Sequence, residues 1–262
     1  MAKVLTERET IERSIITTYR KGIWSPFVLA VKKYRLIEKG DKIAVCISGG
    51  KDSMLLAKLM QELQNHGETE FDLRFIVMDP GYNKENRKKI EENAKLLGIP
   101  IEIFETDVFA SSLAAAGDSP CYLCARMRRG YLYAKAKELG CNKIALGHHY
   151  NDVVETFMMN LFIEGRVGCF APKSYLSRKE IWMIRPLVFA PESAIKSAIK
   201  RNNIEIVKSK CPADGKTKRE EMKEFLRQKE YEDNGFTDRL FGALRRSGVD
   251  GWGKAADAAD KR

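Results

Sequence analysis

Apolar positions along this chain switch between two rhythms. Ile43-Ala44-Val45-Cys46-Ile47 is a short unbroken apolar run with β-branched residues, the pattern of a strand covered on both faces. Beyond it, Leu55, Leu56, Leu59, Met60 and Leu63 recur at helical spacing. The alternation then repeats. Phe71 to Met78 predicts a second strand ending in the turn Asp79-Pro80-Gly81, and Glu85 to Leu97 predicts a charged amphipathic helix closed by Gly98. Ile99 to Phe104 predicts a third strand. Asp118-Ser119-Pro120 reads as the start of a helix that runs to Leu139 and stops at Gly140. Ile144-Ala145-Leu146 is a fourth, very short strand, followed by a helix from Val153 to Ile163. Ile181 to Ile184 gives a fifth strand, and Glu192 to Arg201 a further helix. Thr6 to Tyr19 and Pro26 to Leu36 read as helices before the first strand, and from Thr217 onward the chain is largely helical.

Strands and helices alternating at this spacing predict an α/β fold, a doubly wound parallel sheet of about five strands with helical N- and C-terminal extensions. The expected organisation is an N-terminal helical segment over 1–40, a nucleotide-binding catalytic domain over 41–205 and a C-terminal helical region over 206–247. A loose polar tail is expected over 248–262. Ligands of such sheets sit beyond the carboxyl ends of the strands. The turns after the first, second and fourth strands can therefore converge on one crevice.

The turn after the first strand carries the chemistry. In Ser48-Gly49-Gly50-Lys51-Asp52-Ser53 two adjacent glycines let the backbone bend tightly and approach an anion, at the point where a helix N-terminus presents its free N–H groups. That is a phosphate cradle. It is not the G-x-x-x-x-G-K-[ST] loop, because only two glycines occur and they are adjacent. It matches the SGGxDS pyrophosphate loop of the ATP-pyrophosphatase superfamily, whose members cleave ATP between the α- and β-phosphates.

Composition narrows the field. With 262 residues, 31% charged and 9% aromatic, the chain fits a soluble globular enzyme. It has no apolar run near the roughly 18 residues of a membrane span and no signal-peptide core, so a cytoplasmic location without membrane contact is expected. The formal net charge of +10 suggests a polyanionic partner. The excess is concentrated, with eight Lys or Arg against two acids from Lys196 to Arg219, and six against one from Cys121 to Lys143.

Six cysteines in a chain of this length do not resemble a disulfide framework. Cys121 and Cys124 stand three residues apart in the first turn of a helix, so both thiols share one face, where the helix N-terminus and Arg126, Arg128 and Arg129 favour thiolate. Cys211 lies far downstream, before Pro212. A C-x-x-C pair with a distant Cys-Pro is found at iron–sulfur clusters, but also fits a redox pair or a zinc site. Cys46 reads as core, and Cys141 and Cys169 as structural.

Taken together, these motifs resemble the tRNA 2-thiocytidine synthetase family of sulfur-transfer enzymes, in its short form within the PP-loop superfamily, over roughly residues 36 to 230. The resemblance rests on Cys46 to Ser53, Cys121 to Gly130, Lys143 to His149, Ile184-Arg185-Pro186-Leu187 and the lone Cys211. It implies a [4Fe-4S] cluster on Cys121, Cys124 and Cys211, with the fourth iron open to exogenous sulfide. It also implies ATP held by Ser48, Gly49, Gly50, Lys51, Asp52 and Ser53, with Met78 at the adenine and Gly147 in the facing turn. Asp52 and Asp152 become candidates for Mg²⁺, and Lys51 and Arg128 for charge stabilisation of the reacting phosphate. The family usually has two aspartates after its Gly-His-His turn, whereas here Asn151 precedes Asp152, so only Asp152 inherits a carboxylate role. Related 2-thiouridine synthetases carry terminal zinc-binding cysteine pairs and often a lysine where Arg128 stands; this chain has no such pairs.

The implied reaction adenylates a pyrimidine C2 oxygen and replaces it with sulfur, on tRNA lying across the two basic stretches. Sulfur would come from a cysteine desulfurase or free sulfide, and a homodimer is the common family assembly. His148 and His149 stand at the strand-end turn, where histidines are as often structural as chemical. Two alternatives stay open. One is a cluster-free thiolase of 2-thiouridine type using a persulfide on Cys124 or Cys211, which closes as a disulfide. The other is a nucleotide-binding redox regulator.

Overall fold

The fold is that of a computed structural model describing residues 4–108, 111, 120–207 and 217–253, the side chains of 120–122 excepted. Its centre is β1 (Lys42–Ile47), buried along nearly its whole length. β1 pairs in parallel with β2 (Asp72–Asp79) on one side and β4 (Lys143–Ala145) on the other. β3 (Ile101–Glu105) extends the first side in parallel. On the other side β6 (Ile181–Ile184) pairs in parallel with β4, and β5 (Lys173–Leu176) closes the edge antiparallel to β6. The order is β3-β2-β1-β4-β6-β5. The five expected strands are all present; β5 is a sixth that sequence reading missed.

Period-two alternation divides the core in two. Ile43, Val45 and Ile47 of β1 face the larger cluster with Phe75, Val77, Ala145 and Ile184, while Ala44 and Cys46 face the smaller one with Ile76 and Ile144. The larger face is covered by α3 (Lys51–His66) and α4 (Lys84–Leu97), together with α7 (Glu192–Arg201). Over the smaller face lies α5 (Pro120–Glu138), through Ala136, Leu132 and Tyr133. Helices on both faces make the sheet doubly wound.

The terminal segments join the same core. α1 (Glu7–Arg13) starts at a capping box formed by Thr6 and Glu9. Two π-helical stretches, Ser14–Thr18 and Arg20–Trp24, lead into α2 (Ser25–Lys33), so the single expected helix to Tyr19 is broken. Ile11, Ile15, Ile23 and Phe27 bury against the sheet's helices. At the other end, α8 (Lys218–Glu232) and α9 (Phe236–Ser247) pack beside α6 (Tyr150–Phe162). The polar tail expected from Gly248 begins instead with a docked turn. Trp252 is fully buried, edge-on to Tyr34 and Phe241, and its indole N–H donates to the Phe170 carbonyl at 3.0 Å. Residues 254–262 lie outside the described residues. No helix among the described residues is long and apolar enough to cross a membrane.

Candidate nucleotide and sulfur-transfer site

β1 is where the strand order reverses: α3 leaves its end toward β2, and the turn after β4 leaves toward the other side. That switch point is where such sheets open a crevice. Gly49 has φ +77°, and a Cβ there would stand 2.8 Å from both Ile90 and Val207, so only glycine fits the bend. Gly50 caps α3 without any side chain covering the first N–H groups. The loop is braced from within. Ser53 Oγ donates to the Gly50 carbonyl at 3.0 Å, accepts from the Ser48 N–H at 3.1 Å, and lies 3.1 Å from Ser48 Oγ.

Lys51 and Asp52 follow in the first turn of α3. The Lys51 ammonium sits between Asp52 Oδ2 and Glu192 Oε1, both at 2.9 Å. Burial works against its charge, but the two carboxylates prevail and raise its pKa. For Glu192, burial also opposes ionisation. Hydrogen bonds from Lys196 and Lys51 outweigh it and hold the carboxyl at about 2.

The turn after β4 closes on this loop. A Cβ on Gly147 would lie 3.1 Å from the Asp52 backbone carbon and 3.2 Å from the Ser53 nitrogen, so the glycine permits backbone-to-backbone contact. His149 caps α6: its Nδ1 accepts from the Asp152 N–H at 3.3 Å while Asp152 Oδ2 accepts from the His149 N–H at 2.9 Å. An Nδ1 that accepts leaves the proton on Nε2, which faces Asp52 Oδ1 at 3.6 Å. The other Asp152 oxygen takes Arg219 at 3.4 Å. Arg219 also binds Glu155 and Thr156, so the carboxylate serves α6 and the C-terminal helices together. Asn151 has a structural task as well, its side-chain oxygen accepting the Glu192 N–H at 2.9 Å.

These elements enclose a cleft of about 280 Å³ lined by Ser48, Gly50, Asp52, Ser53, Met78 and Gly147 from the sequence-predicted set. Arg128 and Leu132 enter it from α5. Cys124 stands four residues before Arg128 on that helix, so the two share one face. Arg126 and Arg129 are exposed. Cys124 is half-buried. The Cys121 side chain, Cys211, Lys208 and Lys210 lie outside the described residues. Of the basic stretch from Lys196, the two ends are spoken for, Lys196 by Glu192 and Arg219 by the groups on α6.

Tyr82, Cys46 and His148 line the cleft without having been assigned a site role from the sequence, and Glu192 reaches the loop without lining the cleft. Tyr82 donates to the Ser48 carbonyl at 3.1 Å. It follows an Asp79 turn whose Oδ1 accepts the Gly81 and Tyr82 N–H groups. An aromatic just past a strand-end turn was the signal available. Cys46 lines the cleft although it is core, and burial pushes its thiol up to about 12, as for Cys169. His148 lines it too, its ring tilted against Phe170 at 5.0 Å, with burial and then Arg185 lowering its pKa to about 4. Glu192 touches the loop only through Lys51, and nothing local in Pro191-Glu192-Ser193 sets it apart from an ordinary first-turn acid.

Among the described residues no group of three or more His, Cys, Asp or Glu side chains forms a ready metal site. Among the described residues, the carboxylate oxygen at this cleft that has no hydrogen-bond partner is the buried Asp52 Oδ1. A hard divalent cation suits such an oxygen at the mouth of a phosphate loop. For an iron–sulfur cluster the fit rests on donor chemistry, namely Cys124, one helical turn before Arg128 on α5, and Cys121 one turn earlier in the same helix.

Comparison with known proteins agrees with this geometry. The PP-loop domain family model matches residues 25–230. The chain is 37% identical over 205 residues to the tRNA-cytidine(32) 2-sulfurtransferase of Alkalilimnicola ehrlichii, covering 76% of this chain and 64% of that protein. It is 34% identical over 232 residues to the protein of the same name from Pelobacter propionicus, covering 87% of this chain and 85% of the relative. In structure it resembles the U34-tRNA thiolase NcsA from Methanococcus maripaludis, solved with its [4Fe-4S] cluster. The TM-score is 0.67 at 24% identity, over 85% of this chain and 77% of the thiolase, which shows a shared fold. The chain belongs to the PP-loop family and, within it, to the tRNA-cytidine(32) 2-sulfurtransferases.

Proposed function

We propose that this chain is an ATP-dependent tRNA sulfurtransferase that adenylates the C2 oxygen of a cytidine and replaces that oxygen with sulfur. One observation carries the reading: the phosphate loop and the cysteine-bearing helix α5 line the same cleft, through Ser48, Gly50, Asp52 and Ser53 on one side and Arg128 and Leu132 on the other. The relatives' name supports the substrate, and the PP-loop match supports ATP.

The C2 oxygen of cytosine leaves poorly. Its attack on the α-phosphorus of ATP breaks the bond to the bridging oxygen, expels pyrophosphate and converts that oxygen into part of an adenylate. A sulfur nucleophile then forms a bond to C2 as AMP leaves. The chain's task is positioning and charge neutralisation. Gly49, Gly50, Ser48 and Ser53 offer N–H and hydroxyl groups to phosphate oxygens, and Lys51 a positive charge. The backbone and side chain of Met78, beside Leu132, offer an apolar seat for adenine, and Gly147 lets the facing turn approach. Arg128 would neutralise the phosphate nearest the cysteines.

Asp52 would hold Mg²⁺, which when bound neutralises phosphate charge, and Asp152 is linked to Asp52 through His149. Cys124, with Cys121 and Cys211, would hold the [4Fe-4S] cluster, which when bound offers an iron free of protein ligands as a seat for sulfur. Val207, four residues before Cys211, donates to the Gly49 carbonyl at 3.1 Å. Four residues of chain span at most about 14 Å. Sulfur from free sulfide or a cysteine desulfurase is within the logic of that arrangement.

The test is reconstitution. Anaerobically prepared protein with iron, sulfide, Mg²⁺, ATP and unmodified tRNA should yield 2-thiocytidine by mass spectrometry, with AMP in equal amount. AMP release without a thionucleoside would defeat the proposal. A colourless, iron-free protein that still thiolates would favour the persulfide route.

A further inference from the structure

Glu192 opens α7, far from the phosphate loop in sequence, yet its carboxylate meets Lys51, His149 and Lys196 beside that loop. It is 9% exposed. Its Oε1 lies 2.9 Å from Lys51 and 4.0 Å from His149 Nε2; its Oε2 lies 2.9 Å from Lys196. Its backbone N–H is fixed by Asn151 at 2.9 Å, so the carboxylate is presented at a set point. Among the described residues, Lys51 has one other carboxylate in reach, Asp52, whose Oδ2 it holds while Oδ1 accepts no hydrogen bond.

We infer that Glu192 is a positioning residue: by sharing the Lys51 ammonium it keeps Lys51 from pairing with Asp52 alone, and so keeps the Asp52 carboxylate available to the divalent cation of a bound nucleotide. Lys51, Lys196, Asp52 and Glu192 together carry no net charge. Without the Glu192 charge, the Lys51–Asp52 pair tightens at the start of α3, and a cation must displace an ammonium to reach Asp52. The effect passes through Lys51, and the inference rests on the reading of this cleft as the site of ATP and Mg²⁺.

The test is binding of α,β-methylene-ATP to the full chain by calorimetry across a Mg²⁺ series. E192Q should raise the Mg²⁺ concentration for half-maximal binding about tenfold, the size of one charge-assisted hydrogen bond. With K51M already present, the same substitution should change it less than about twofold, as expected when one residue acts through another. An unmoved midpoint overturns the inference. So does an equal shift with and without Lys51, which would mean that Glu192 only secures α7. E192D keeps the charge but shortens the reach, and it carries the same comparison if E192Q does not fold. Wild-type protein that binds the analogue with the expected Glu192 effect but makes no 2-thiocytidine defeats the proposed function and leaves this inference standing. Normal thiolation with an unmoved E192Q midpoint does the reverse.

Discussion

At Gly49 a backbone demand and a packing demand fall on one residue. Its φ of +77° disfavours any side chain by roughly 1–2 kcal/mol. Its missing Cβ also leaves room for Ile90 and Val207, each of which would stand 2.8 Å from it. Gly49→Ala should therefore do more than strain a turn: it should push α4 and the segment at Val207 away from the loop. The expected outcome is at least a tenfold loss of ATP affinity with a fall of about 2 kcal/mol in stability, read by calorimetry and urea unfolding. Gly50→Ala, whose Cβ meets nothing nearer than Ser48 Oγ at 3.6 Å, should cost far less stability. The adjacency of these glycines was legible in sequence because a tight anion-binding bend leaves few other residue choices. Tyr82 and Glu192 were not, since each acts across the fold on a partner distant in sequence, and no local pattern marks that.

Among the elements, α5 was legible at both ends: the proline in its first turn and Gly140 after it agree with Pro120–Glu138. Which of its arginines matters was not. The basic run holds Arg126, Arg128 and Arg129, and only the position of the helix over β2 and β4 selects Arg128, in step with Leu132, to line the cleft. R128A should lower AMP formation about a hundredfold, consistent with losing a charge that stabilises a transition state. R126A, exposed on another face, should leave ATP binding unchanged and any loss should appear only as weaker, more salt-sensitive tRNA binding. Equal loss in both would remove α5 from the site. β5 was missed for a different reason. Lys173-Ser174-Tyr175-Leu176 is a half-exposed edge strand, and its order comes from pairing with β6, where Tyr175 lies opposite Trp182 with rings 4.9 Å apart. That stabilisation is cross-strand and leaves little periodicity behind.

Across the whole molecule, two buried groups near the cleft titrate in opposing directions, and their balance predicts how stability responds to acid. His148 holds its folded pKa at about 4 against an ordinary 6.5, through burial and then the Arg185 charge. Glu155 is raised to about 7 from 4.5, through burial and then the Asp152 charge, with Arg219 and Lys223 opposing. For His148 the unfolded chain binds a proton near pH 6.5 and the folded chain only near 4, so stability present above that window is lost as the pH falls through it. For Glu155 the folded chain binds the proton first, so its stability is full below pH 4.5 and is lost as the pH rises through about 7. Between pH 7 and 5 each effect is on the order of 2 kcal/mol, and the signs are opposite. The wild-type chain should therefore show little net change from this pair. H148Q, which fixes a neutral side chain, should gain about 2 kcal/mol on going from pH 7 to pH 5, whereas E155Q should lose a similar amount relative to pH 7. Urea unfolding at constant ionic strength reads both. If the two variants run parallel to the wild type, neither group titrates in the folded chain as its surroundings dictate. A flat H148Q, with E155Q and the wild type losing stability alike toward pH 5, would mean that Arg219, bound at once to Asp152, Glu155 and Thr156, keeps Glu155 ionised, and would make that arginine the clasp between α6 and the C-terminal helices.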